Sequence, residues 1–338
     1  MKSFDGIIGL ALADSMGVPV EFHTRKELEI NPVKGVTERG TYNMPAGCWS
    51  DDTSLTLATM EGIIRNNGVI NRRTYHNIAD NFVDYYFKNA FTPTDVMFDI
   101  GNTTRNAIIK YFKYHIDPIK AGGNAEYNKG NGALMRILPI AYYAEQNKTT
   151  LQDDLAIVAD IASITHAHPS CILGSYLYVE YARMLIAGFS KEESYKYIQN
   201  IDTKGFPTYV VDEYKRILQG NIKYTPREKI SSDGVTRDTL EAALWSFMNN
   251  TDYSSTVLTA INLGEDTDTV AAVAGGLAGI HYGKENIPQE WLKYVKRLDY
   301  IQKLCDEYDY AIEYKKTPYS FKPVPTQQNR LHDYDESR

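Results

Sequence analysis

The chain is poor in cysteine, has no long apolar run and shows no excess of positive charge. Its three cysteines, Cys48, Cys171 and Cys305, are far apart and odd in number. They make no CxxC pair and no disulfide framework, which points to a reducing compartment and a cytoplasmic location. The seven histidines include no HxxH or HxxxH pair, so nothing suggests a zinc site. No stretch approaches the roughly 18 consecutive apolar residues of a membrane span. The opening segment, Met1 to Asp14, holds an apolar run. Asp5 interrupts that run and Asp14 closes it, which argues against a signal peptide. The net charge of −7 comes with no basic stripe, which argues against a nucleic-acid footprint. No repeat of fixed period is present, so a solenoid is not expected. Strand-like alternation is scarce; Glu38 to Tyr42 is the one short extended piece expected.

What the chain does have is helical periodicity. Apolar residues recur at helical spacing over Thr74–Lys88, Gly101–Tyr114, Leu151–Ser163 and Cys171–Ala187. They do so again over Ser190–Gln199, Tyr209–Gln219, Thr236–Asn249 and Tyr253–Leu263. Gly188 is placed to close the Cys171–Ala187 helix as its C′ residue. Helices joined by short polar turns predict an all-α fold. Residues 1–312 read as one domain. From Glu313 the composition turns polar and proline-containing, so 313–338 is a tail able to bury little apolar surface.

Two short acidic strings stand out. Ser50-Asp51-Asp52-Thr53 runs into an apolar stretch ending at Ile64, and Glu265-Asp266-Thr267-Asp268-Thr269 runs into another ending at Ile280. Taken alone, acids in a first helical turn are explained by capping and by the helix dipole. The second string weakens that explanation. The helix it opens is nearly all Ala, Val and Gly, and Gly275, Gly276 and Gly279 each cost roughly 1 kcal/mol against Ala. Close approach of another helix backbone would offset that cost, so this turn opens a buried helix. Buried aspartates need a partner, yet no lysine or arginine lies within ten residues on either side. If the fold brings both strings together, their carboxylates repel unless something positive stands between them. One or two hard divalent cations with oxygen ligands answer both needs.

Weaker signals accompany these. Glu21 follows the glycine- and alanine-rich N-terminal helix and alone would be a surface glutamate. Gly130-Asn131-Gly132 either offers backbone N–H groups as an anion nest or is a plain turn. His166 and His168 precede a helix, where core or capping roles are the ordinary ones. N-capping alone would explain Asp99.

In this order along the chain, the segments resemble the ADP-ribosylglycohydrolase family, which includes the dinitrogenase-reductase-activating glycohydrolases. The resemblance is carried by Gly6–Phe22, Gly47–Ser54, Asp99–Thr103, Gly130–Arg136, Thr165–Pro169, Asn262–Thr269 and Ile287–Trp291. It implies a compact, orthogonal multi-helix bundle holding two Mg²⁺ or Mn²⁺ ions. It implies Ser50, Asp51, Asp52, Asp266, Asp268 and Thr269 as metal ligands, with Glu21 beside them. An ADP-ribosyl group would lie against Asn128, Lys129, Gly130, Asn131, Gly132, Ala133 and Met135, with His166 touching it. The implied reaction is hydrolysis of the glycosidic bond from ADP-ribose to a protein side chain, arginine foremost, or to a small acceptor. Cleavage of that bond builds oxocarbenium-like charge on the ribose. Asp51 or Asp52 would serve as general base for the attacking water, and Glu21 or Asp99 would assist proton transfer.

This sequence departs from the family in two places. Ser50 stands where Thr is usual and keeps the hydroxyl. Glu265 stands where a second glycine is common; it either tunes the metals or faces solvent. Two other readings compete: a dinuclear metal phosphohydrolase and a non-catalytic ADP-ribose binder. Both complete acidic strings stand against the binder. The expected partner is an ADP-ribosylated protein or an ADP-ribose-containing small molecule, with no nucleic acid and no membrane. A monomer is expected.

Overall fold

The computed structural model describes residues 2–314 apart from Asn221. The expected tail therefore lies almost wholly outside the described residues. Among these residues there are sixteen α-helices and no β-strand. The first helices are α1 (Phe4–Gly17), α2 (Arg25–Ile30), α3 (Asp51–Ile64), α4 (Arg72–Lys88), α5 (Asn102–Tyr114) and α6 (Pro139–Asn147). There follow α7 (Leu151–Ser163), α8 (Pro169–Ile186), α9 (Lys191–Gln199), α10 (Thr208–Glu213) and α11 (Lys215–Leu218). The last are α12 (Thr236–Met248), α13 (Tyr253–Ile261), α14 (Thr267–Tyr282), α15 (Gln289–Leu292) and α16 (Leu298–Glu313).

Local chemistry sets the helix starts. Thr24, Asn71, Thr150 and Ser190 each cap a helix in a reciprocal box with the residue three positions on. Gly188 ends α8 with φ +92°, a conformation that favours glycine. Two expectations fail. Glu38–Tyr42 is not a strand: Arg39 makes one isolated bridge to Met44, and Gly40–Tyr42 forms a single 3₁₀ turn. Tyr209–Gln219 is not one helix. It breaks at Tyr214, whose ring is fully buried and whose hydroxyl donates to the Ser170 carbonyl at 2.7 Å. Anchoring that ring inside the bundle outweighs continuing the ladder.

The centre of the bundle is the antiparallel pair α1 and α14. Both are apolar on nearly every side and buried along almost their whole length. They meet backbone to backbone through small residues. A Cβ at Gly9 would lie 2.5 Å from the Gly275 carbonyl oxygen and 2.9 Å from Gly279 Cα. One at Gly279 would lie 2.2 Å from the Asp5 carbonyl oxygen. This is the close approach expected from the glycines of the second string. Around the pair pack α3, α8, α12 and α13. Gly9→Ala is expected to lower stability by about 2 kcal/mol despite alanine's better helix propensity. Backbone atoms cannot rotate away as a side chain can. A denaturant melt in which the variant matches the parent would refute this packing.

The antiparallel pairing has a second effect. The end of α1 meets the start of α14: Thr267 donates its hydroxyl to the Gly17 carbonyl at 2.9 Å. A Cβ at Gly17 would lie 2.4 Å from Asp268 Cα. The acidic start of α14 is thereby pressed against the segment that carries Glu21.

Candidate active site

The first acidic string is built on a cap. Ser50 precedes α3 in extended backbone, and its hydroxyl accepts from the Asp52 N–H at 3.2 Å and donates to Asp52 Oδ2 at 2.8 Å. Asp14, deep in α1, accepts from the Ser50 N–H at 3.0 Å, the Thr53 N–H at 3.1 Å and the Thr53 hydroxyl at 2.6 Å. A buried carboxylate and the positive end of a helix thus stabilise each other. Burial lifts the Asp14 carboxyl to about 7 against the opposing effect of these bonds.

The second string enters from the opposite end of the chain. Asp266 precedes α14, and Asp268 and Thr269 fall in its first turn. The Thr269 hydroxyl reaches Asp52 Oδ2 at 3.3 Å, joining residues 217 apart in sequence. Asn131 donates to Asp266 Oδ2 at 2.8 Å and to the Thr239 hydroxyl at 2.9 Å, which fixes the rotamer of Asp266. The positive N-termini of α3 and α14 therefore both face one cluster of carboxylates.

The cluster has two lobes. Asp14, Asp52 and Asp268 each offer an oxygen within 4.8 Å of the others, and so do Glu21, Asp266 and Asp268. Asp268 belongs to both. Three of these side chains leave a buried oxygen with no hydrogen-bond partner: Glu21 Oε2, Asp52 Oδ1 and Asp266 Oδ1. An orphaned buried carboxylate oxygen is costly, and these three could hold a cation. Asp14 is different, because both its oxygens already accept from N–H or O–H groups. It orients the α3 turn.

The electrostatics agree. Burial, then the Glu21 and Asp52 charges, pushes Asp268 well above the carboxylate range. Burial, then Asp14 and Asp51, does the same to Asp52, and burial, then Asp99 and Glu21, to Asp51. Burial, followed by Asp99 and Asp266, lifts Glu21 to about 8. Without added positive charge these acids cannot all ionise.

Asp99 is not a helix cap. Gly101 occupies that position before α5, and Asp99 turns toward Asp51 and the Tyr42 hydroxyl. Burial raises its pKa most, while the Tyr42 bond opposes the rise. Tyr42 also stands beside Glu21, so one phenol neighbours two acids of the cluster. Neither Tyr42 nor Asp14 stood out in the sequence. Tyr42 arrives because Gly40, at φ +59°, packs so tightly on Pro19 that a Cβ would fall 1.8 Å from its carbonyl oxygen. Asp14 did carry a signal: an aspartate set within an otherwise apolar buried helix.

The expected ligand loop lies beside this cluster. Asn131 joins the two regions through Asp266. Neither Gly130 nor Gly132 has positive φ, and the Asn131 N–H donates to the Gly234 carbonyl at 3.0 Å. No nest forms there; the glycines instead make room for His166. A Cβ at Gly132 would lie 2.6 Å from the ring's Cε1. Asn128 bonds the Thr103 hydroxyl at 3.2 Å, and Lys129 is ion-paired with Glu126 and, at 2.6 Å, with Glu213. Ala133 and Met135, expected to line the ligand, are both buried. The 3₁₀ turn Leu134–Arg136 directs them inward. His168 caps α8, its Nδ1 accepting from the Ser170 N–H at 3.1 Å.

The ADP-ribosylglycohydrolase family profile matches residues 2–318. The chain belongs to that family. This glycohydrolase is 31% identical over 313 residues to ADP-ribosylarginine hydrolase Tri1 of Serratia proteamaculans, covering 91% of this chain and 79% of that one. It is 26% identical to the ADP-ribosyl-[dinitrogen reductase] glycohydrolase of Rhodospirillum rubrum, over 86% of this chain and 89% of the other. A solved structure titled "ADP-ribosylglycohydrolase-related protein complex" superposes with a TM-score of 0.75 at 26% identity, covering 93% of this chain and 98% of that chain. The all-α fold expected from the resemblance is that of the family.

Glu265, the added acid of the second string, lies just before Asp266. Its side chain is exposed and its φ is +62°. Only its backbone serves the site: its carbonyl accepts from the Phe22 N–H at 2.7 Å and its N–H donates to the His23 carbonyl at 2.8 Å. That double bridge pins the Asp266 turn to the segment after Glu21. A left-handed backbone explains why glycine suits the position. Glu265→Gly is therefore expected to be stabilising by about 0.5 kcal/mol, the relief of strain exceeding the added chain entropy. A thermal melt showing a loss of more than about 1 kcal/mol would mean that the carboxylate has a structural partner.

Proposed function

We propose that this enzyme hydrolyses the N-glycosidic bond between ADP-ribose and an arginine side chain, at a centre of two divalent cations, Mg²⁺ or Mn²⁺. The observation that carries the reading is Asp268, shared by two groups of acidic oxygens whose other members include orphaned ones. A single cation would leave one lobe uncompensated. Ser50, Asp51, Asp52, Asp266, Asp268 and Thr269 would hold the pair. Such cations supply positive charge that orients ribose hydroxyls and acidifies water.

The chain's own residues do the rest. Asp52 and Asp268, each fixed by neighbouring hydroxyl or N–H groups, hold the ribose side of the substrate in one orientation. Glu21, beside the cluster, would deliver a proton to the departing guanidino nitrogen. Asp51 or Asp52 then takes the proton of the attacking water. Asn131 and His166 bound the side where the diphosphate would lie. Similarity to a relative named ADP-ribosylarginine hydrolase supports arginine as the acceptor.

The test is a hydrolysis panel with Mg²⁺ and with Mn²⁺: ADP-ribosyl-arginine, ADP-ribosyl-serine, O-acetyl-ADP-ribose and poly(ADP-ribose). Free ADP-ribose from the arginine conjugate is the expected product. A phosphomonoester product would indicate a phosphohydrolase. Binding without turnover under any metal would indicate a binder.

A further inference from the structure

The ligand loop ends in a residue that the reaction does not use. Arg136 is fully buried, and no carboxylate among the described residues pairs with it. Its Nη2 donates to the Ile161 carbonyl at 3.0 Å and to the Thr165 hydroxyl at 2.8 Å. Its Nε and Nη1 have no hydrogen-bond partner among the described residues. The guanidinium lies 4.7 Å from the centre of the Phe82 ring, a partial compensation. The Ile161 bond closes the last turn of α7, but a neutral donor could do that. Capping alone does not account for a buried charge.

The Thr165 bond gives the side chain a second task. A hydroxyl carries one proton and two lone pairs. Arg136 can only donate, so it occupies a lone pair of Thr165 Oγ1. That oxygen also lies 2.9 Å from His166 Nδ1. Thr165 is fully buried, and its own proton has no other acceptor among the described residues. The hydroxyl must donate to Nδ1, which leaves the ring proton on Nε2. Nε2 faces the ligand loop, where a Cβ at Gly132 would lie 3.3 Å away and one at Gly130 3.4 Å away. It makes no hydrogen bond among the described residues. Burial first, and then the Arg136 charge, lowers the His166 pKa to about 3, so the ring stays neutral.

We propose that Arg136 and Thr165 form a tautomer lock that presents His166 Nε2–H as a fixed hydrogen-bond donor to an oxygen of the ADP-ribosyl group. Both are positioning residues that act through His166. The inference rests on the proposed placement of ADP-ribose at this loop. It separates into a part visible without ligand and a part that needs it.

Long-range ¹H–¹⁵N correlation spectra of ¹⁵N-histidine-labelled enzyme report the tautomer directly, with His166→Asn assigning the signal. The parent should show protonated Nε2 and bare Nδ1 at pH 7. Thr165→Val should lose that fixed preference and weaken binding of ADP-ribose about tenfold, the scale of one hydrogen bond. Thr165→Ser, which restores the hydroxyl, should recover both. A melt confirms that each variant folds. Nδ1–H or imidazolium in the parent would overturn the lock, as would Thr165→Val with unchanged spectra. A changed tautomer with unchanged ADP-ribose affinity would overturn the donor's role and the placement of ADP-ribose here, while the panel of substrates could still succeed.

Discussion

Asp268→Asn is expected to lower turnover at least about a thousandfold, or about 4 kcal/mol of transition-state stabilisation. It should do so while raising the thermal stability of the metal-free enzyme. The two effects have one cause. Asp268 lies in both lobes of the acidic cluster, and burial with the Glu21 and Asp52 charges makes it among the most strongly opposed carboxylates there. An amide removes the repulsion and keeps the Oδ1 that accepts from the Thr269 N–H at 2.9 Å. What it loses is the negative charge that two cations would share. Metal analysis should show fewer than two ions per chain, and a melt in chelator should shift upward by a few degrees. Parental hydrolysis with two retained ions would remove the dinuclear reading. A lower metal-free melting temperature would mean that the carboxylate is structural.

The second large effect is on pH and metal together. Asp14 and Glu21 are lifted to about 7 and about 8, and Asp51, Asp52, Asp99, Asp266 and Asp268 are all raised. A carboxyl whose pKa is higher folded than unfolded stabilises the fold below its unfolded value. That stability is lost as pH rises through the folded value. The folded, metal-free enzyme therefore holds more protons than the unfolded chain between about pH 4 and pH 8. Its stability should fall over that window by about 1.4 kcal/mol per pH unit for each net proton. Millimolar Mg²⁺ or Mn²⁺ should flatten or invert the slope. Cations bind the ionised cluster and stabilise it by mass action, more so at higher pH. Melts at pH 5 and pH 8, with chelator and with metal, measure all four corners. A chelator series flat with pH would contradict the raised values. A metal series identical to it would remove the centre.

Much of this site was legible because certain residues are anomalous where they stand. Asp266 and Asp268 open a helix with no basic residue nearby and glycines along its length, so burial and an ion could be inferred before any geometry. Other features were illegible because they depend on what the chain meets in space. Asp99 reads as a cap until Gly101 takes that position. Tyr42 has no local pattern at all; it reaches Glu21 because Gly40 packs on Pro19. The Tyr209–Gln219 pattern is helical, yet Tyr214 is drawn to Ser170 on another helix. The Gly130–Gly132 loop was read from its glycines as an anion nest or a plain turn, whereas they are small because a histidine ring fills the space. Glu265 could be weighed only once its backbone angle was known.

The pairing of α1 with α14 also bears on how the protein is made. A chain emerging from the ribosome presents Ser50, Asp51 and Asp52 long before Asp266 and Asp268 exist. Until α14 docks along α1, neither lobe of the cluster is complete, because Asp268 belongs to both. The contacts that close the site, Thr267 to Gly17 and Glu265 to Phe22 and His23, join residues as much as 250 apart in sequence. Such long-range pairing is slow to form relative to local helices. Capture of the proposed cations would thereby be postponed to the last stage of biogenesis, and a ribosome-bound fragment ending before α14 would lack Asp266 and Asp268 to hold them.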